Sequence, residues 1–136
     1  AHENPWVVAK YPQIRPYLAK MVKVLKKNRK SFRIERVPLC CMKGFEEYAT
    51  ETRKIIKDEL YMCSFIEQKS DNMLRVVKPY QGRVKLPFCE RCGLGMICAG
   101  VQTEYLAIHG PKGLAPVRNR SVSRIVRAVR GSAEDT

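Results

Sequence analysis

The feature that most constrains this chain is a run of three cysteines in a stretch with no regular periodicity. In "FCERCGLGMICAG", Phe88 to Gly100, Cys89, Cys92 and Cys98 have C-x2-C-x5-C spacing. The surrounding segment from Pro79 to Pro116 carries Gly82, Pro87, Gly93, Gly95, Gly100, Gly110, Pro111 and Gly113. A segment this rich in glycine and proline recovers little of its ordering entropy from a core of its own. It gains most from a metal centre that stands in for one. Two cysteines separated by Glu90 and Arg91 can turn both sulfurs to one side, and Gly93 and Gly95 free the chain to return as Cys98. Three thiolates are one short of the four usual in a closed zinc or iron–sulfur site. Cys40, Cys41, Cys63 and His109 are the candidates for the fourth. Cys41 and Cys63 read as small buried hydrophobes, since free cysteine is among the most buried residue types. His109, in "AIHGPKG", reads as a loop histidine, and Cys40, after "VPL" and before a glycine turn, is the best placed.

The rest of the composition sets the context for that site. A chain of 136 residues supports one modest core. The formal charge of +13, from 26 Lys and Arg against 13 Asp and Glu, favours acidic partners such as nucleic acid, a phosphorylated cofactor or an acidic peptide. No apolar run approaches the roughly 18 residues that span a bilayer. The N-terminus lacks the apolar core of a signal peptide. The chain therefore reads as soluble, cytoplasmic and without a membrane partner. In a reducing compartment six cysteines point to metal or thiol chemistry before a disulfide framework. A first residue Ala1 and an opening "AHENPWVVAKYP" without a cap signal read as a piece cut from something longer.

Periodicity places the elements around the cysteines. Ile14, Tyr17, Leu18, Met21, Val22 and Leu25 share one face of a helix predicted from Gln13 to Lys27, with Lys20, Lys23, Lys26 and Lys27 as a solvated face. "SFRIERV" alternates Phe32, Ile34 and Val37 with charged residues, the pattern of a half-buried strand ended by Pro38. Cys40 then lies where that strand empties out, a usual place for ligands in layered α/β folds. A second helix is predicted from Glu46 to Leu60. Two short strands, in "LYMCSFIE" and "NMLRVVKPY", are joined by the polar turn "QKSDN". Val122, Ile125, Val126 and Val129 form the apolar stripe of a C-terminal helix accompanied by Arg118, Arg120, Arg124, Arg127 and Arg130. That helix reads as peripheral with solvated arginines, or as a surface for RNA or an acidic partner.

Two segments together, "VPLCCMKGFEEYATETRKIIKDE" and "PFCERCGLGMICAGVQTEYLAIHGPKGLAPV", resemble the C-terminal half of radical S-adenosylmethionine (radical SAM) proteins with an auxiliary iron–sulfur region of the SPASM or twitch type. "IERVPLC" resembles the final barrel strand and "GFEEYATETRK" the helix after it. Gly100, Tyr105, Gly110, Leu114 and Pro116 match the family's pattern after the third cysteine. The resemblance covers Tyr11 to Val117. It implies that Cys40, Cys89, Cys92 and Cys98 ligate one auxiliary [4Fe–4S] cluster. The fuller pattern continues with a fourth cysteine where Gln102 stands here, so one cluster is implied and not two. No three of the six cysteines have the C-x3-C-x2-C spacing that binds the catalytic cluster, so S-adenosylmethionine is implied only if a missing N-terminal half is supplied.

The fold class expected on this basis is α/β. Residues 1–78 would be the C-terminal helix–strand units of a partial parallel (β/α) barrel, 79–117 a Cys-rich cluster lobe, and 118–136 a basic helix and tail. The role would be electron transfer or substrate positioning, without activity alone. The partners would be the absent barrel half or another chain and an acidic peptide substrate. The alternative is a zinc-stabilised basic module, Cys89, Cys92 and Cys98 with Cys40 or His109 holding the ion and the C-terminal helix contacting nucleic acid.

Overall fold

The computed structural model describes residues 4–58 and 82–132, together with the backbone of two strands between them. Helix α1 spans Tyr11–Lys27. It starts two residues earlier than its periodicity predicts, because the Tyr11 backbone N–H is taken by the Tyr105 hydroxyl at 3.1 Å and the two rings stack at 3.9 Å. Pro12 follows in the first turn, where a missing N–H costs nothing.

The strand expected over Phe32–Val37 is reduced to one parallel bridge, Ile34 to Ala49. Arg36 stands at φ 64°, which takes the chain out of the extended region, and its N–H donates to Glu51 Oε1 at 2.7 Å instead of to a neighbouring strand. The inward residues are nonetheless those the alternation selects. Ile34 is buried, and Phe32 and Val37 pack on the core. The same bridge breaks the second helix. Ile34 N–H donates to Tyr48 O and Thr50 N–H to Ile34 O, both at 2.9 Å. Ala49 is thereby held extended between a 3-10 turn at Glu46–Tyr48 and helix α2, Thr50–Ile56. Leu60, the expected end of that helix, lies outside the described residues.

Strands β1, Tyr61–Ser64, and β2, Leu74–Val77, pair antiparallel, as do β3, Arg83–Val84, and β4, Val101–Gln102. The "QKSDN" turn lies outside the described residues. Among the described residues the sheet is thus two separate two-stranded antiparallel pairs, and the partial parallel barrel is not borne out. A parallel pair needs a crossover of a dozen or more residues, and the one segment with that spacing, Ile34 to Ala49, ends after a single bridge.

Helix α3, Thr103–His109, follows β4 directly, and helix α4, Val122–Gly131, closes the chain. The expectation of a peripheral C-terminal helix is corrected. Ile125 and Val129 are fully buried, and α4 packs on α2 and on the 3-10 turn before it. Its N-cap is Ser121, which accepts from Arg124 N–H at 3.2 Å. One buried cluster joins Val22, Ile34, Met42, Leu94, Ile97 and Ile125, drawing on all three of the expected sections. A second holds Tyr11, Cys41, Val101, Tyr105 and Leu114. No helix among the described residues is long and apolar enough to cross a membrane.

Candidate metal centre

Four cysteines from distant parts of the sequence meet at the seam between the two apolar clusters. Cys40 packs against both of them. It stands on a 3-10 turn, Leu39–Cys41, that Pro38 starts in extended geometry and that closes by Cys41 N–H to Pro38 O at 2.9 Å. Cys89, Cys92 and Cys98 come from a second track, a 3-10 helix over Pro87–Arg91 and the loop after it. All four line one pocket with Phe88 and Val101.

The loop is built to hold its sulfurs inward. Leu94 is fully buried beneath it, and both Ile97 and Cys98 N–H groups donate to Leu94 O. Thr52 of α2 donates to Ile97 O at 2.8 Å and ties the loop to the helix behind it. Gly93 N–H donates to Val117 O at 2.7 Å, and a side chain at Gly93 would meet that carbonyl at 3.2 Å. Gly100 is more demanding still. It has φ 95°, and a Cβ there would lie 2.5 Å from Val84 O, so only glycine passes strand β3.

Two backbone N–H groups point at sulfur, Gly100 to Cys98 Sγ and Val117 to Cys92 Sγ, each at 3.4 Å. Donors of this kind are the outer-shell hydrogen bonds that orient a ligating sulfur. Lys85 lines the pocket as well, and its ammonium donates to the carbonyls of Gly95, at 2.8 Å, and of Cys98. Burial pushes the Cys89 thiol up, and the hydrogen bond from Cys40 to Cys41 raises Cys40 while lowering Cys41. The free thiols therefore resist ionising at Cys40 and Cys89, and a cation in the pocket would reverse that preference.

The remaining candidates among the described residues do not line the pocket, although Cys41 is hydrogen-bonded to Cys40. Cys41 is buried in the second cluster beside Tyr105. His109 Nε2 donates to Val8 O at 2.6 Å, and its ring meets Tyr105 edge-on at 5.1 Å. The Cys63 side chain lies outside the described residues, although its backbone pairs with Arg75. Of Arg83, Lys85, Arg91 and Lys112, Arg83 is bound to Glu51 at 2.5 Å, and Arg91 and Lys112 are exposed. Lys85 is the one of these that lines the pocket.

Thiolate sulfur is a ligand for zinc and for iron–sulfur clusters alike. Among the described residues no group of three or more His, Cys, Asp or Glu is gathered to hold a metal ion. Cys40, Cys89, Cys92 and Cys98 share the lining of one pocket, and two of them receive N–H donors on sulfur.

One buried pairing was not foreseen from the sequence. Glu46, fully buried, accepts from Arg120 Nε at 2.7 Å and Nη2 at 2.9 Å. The only signal was an acid in an expected helix and an arginine among others 74 positions later, which no periodicity links. Compared with protein-family models, with curated proteins and with solved structures, the chain shows no match.

Proposed function

We propose that Cys40, Cys89, Cys92 and Cys98 hold one [4Fe–4S] cluster, and that the chain is the electron-transfer lobe of a radical SAM-type enzyme whose catalytic half is supplied by other residues or another chain. The observation that carries this reading is the meeting of these four cysteines around one pocket. A thiolate-bound cluster supplies one-electron transfer. Four cysteine ligands leave no iron open, which favours electron transfer over direct substrate binding. The residues of the chain do the rest. Phe88 and Val101 line the pocket with apolar surface. The N–H groups of Gly100 and Val117 offset negative charge on Cys98 and Cys92, as outer-shell donors to ligating sulfur do.

The test is iron, sulfide and zinc analysis of protein prepared without oxygen, with an electron paramagnetic resonance spectrum after reduction. The expected result is about four irons and four sulfides per chain, with both falling sharply in Cys40→Ala. Zinc without sulfide would overturn the reading in favour of a structural zinc site. Unchanged iron in Cys40→Ala would remove that residue from the ligand set.

A further inference from the structure

Helix α1 carries two apolar faces, and the core uses one. Val22 is buried in the first cluster and Leu18 packs against it, with Leu25 half-buried. Around the cylinder, Tyr17, Met21 and Val24 are 71%, 42% and 59% exposed. With the half-buried Ile14 they fall at i, i+3, i+7 and i+10, the a and d positions of two heptads. Lys20 and Lys27 then occupy successive g positions beside the stripe, with Lys23 at c. None of these three lysines forms an ion pair with a described residue. From Asn4 to Ile34 the chain has nine Lys and Arg and no acid.

We propose that this face of α1 is a docking surface for an acidic amphipathic helix of another polypeptide. The stripe supplies the seam and the lysines supply the charge. The spacing is that of knobs a partner helix can enclose, which a scattered set of exposed apolar side chains would not be. Because the e positions hold uncharged Leu18, packed on the core, and half-buried Leu25, the partner can be paired electrostatically only along the g side, through Glu or Asp opposite Lys20 and Lys27. A second copy of the chain would bring lysine against lysine between molecules that each carry +13. Single-stranded RNA would use aromatic platforms, and the stripe has one, Tyr17. A membrane-surface helix inserts its broad apolar face, and the broad face of α1 is spent in the core. This surface is independent of whether the cysteine pocket holds iron.

The test uses the full chain and a synthetic peptide of about three heptads with Leu at a and d and Glu at e and g. Its controls are the same peptide with Ser for Leu, the same peptide with Lys for Glu, an oligouridylate, and phosphatidylcholine vesicles containing phosphatidylserine. In fluorescence anisotropy at physiological salt, the Leu/Glu peptide should bind at least about tenfold tighter than the Ser/Glu peptide, the range of a buried apolar anchor. Tyr17→Ser with Val24→Ser should erase that difference. Lys20→Glu with Lys27→Glu should weaken the Leu/Glu peptide and recover binding with the Leu/Lys peptide. All four positions are exposed, and an unchanged unfolding midpoint confirms that the variants fold. Equal binding of the Leu/Glu and Ser/Glu peptides would overturn the proposal, since charge alone would then explain it. So would a stripe whose serine variant loses vesicle or oligouridylate binding and keeps the peptide.

Discussion

Glu46 shows how one residue can decide the stability of this core. Burial alone would raise its carboxyl pKa, but the Arg120 hydrogen bonds and the nearby backbone N–H groups outweigh burial and hold it below the usual range, while the same bonds raise Arg120. A carboxyl depressed in the folded state contributes stability that is fully present above its unfolded value, about 4.3, and is lost as pH falls through the folded value. Urea titrations between pH 2 and 7 should therefore show a steep acid limb, shallower in Glu46→Gln. Arg120→Ala leaves the carboxylate buried without its partner and should cost about 3 kcal/mol at pH 7, the low end for such a loss because the guanidinium is partly exposed. A glycine pair gives a second test at this scale. Gly44, at φ 100°, has open space where a Cβ would go, and Gly100, at φ 95°, has Val84 O. Gly44→Ala should cost only the backbone strain, on the order of 1–3 kcal/mol. Gly100→Ala should cost clearly more, because strand β3 must also move, and equal losses in denaturant titrations would contradict that packing.

At the scale of elements, the sequence was legible where a periodic face meets the core and misleading where backbone partners decide. The α4 stripe is where its spacing puts it, and the inward set Phe32, Ile34 and Val37 is right although no strand forms, but of the α1 stripe only Ile14, Leu18 and Val22 reach the apolar clusters while Tyr17 and Met21 stay exposed. What periodicity cannot convey is that Arg36 turns to a positive φ and hands its N–H to Glu51, or that Ala49 bridges Ile34 and so splits a predicted helix. Both are contacts between residues fifteen positions apart, and neither side chain announces its partner. The cysteine spacing was legible as a local turn, but the proximity of Cys40 depends on two apolar clusters closing around it. The burial of α4 gives this scale its prediction. Ile125→Ala should lose about 2–5 kcal/mol, whereas Arg127→Ala, at an exposed position of the same helix, should stay within about 0.5 kcal/mol. A frayed terminal helix would make the two indistinguishable in chemical denaturation.

For the whole molecule, the pocket lies where separate tracks of chain converge. Pro38 to Cys40 forms one wall, Lys85 to Val101 the second, and Ala115 joins them just before Val117, which is hydrogen-bonded to Gly93 and to Cys92 Sγ. A group bound to thiolates on two of these tracks closes loops of about fifty residues between Cys40 and Cys89 and restricts the unfolded chain accordingly. Its binding energy is then shared by the whole domain and not confined to the Gly-rich loop. Hydrogen exchange of protein reconstituted with iron and sulfide, compared with the chelated protein, should show protection rising together over residues 38–42, 86–100 and 115–118. Leu94 and Ile125 belong to one buried cluster, so α4 should gain protection with them. Protection confined to 89–98 would mean that the three clustered cysteines bind without Cys40, and the domain would then have to hold its two apolar clusters together without a metal staple.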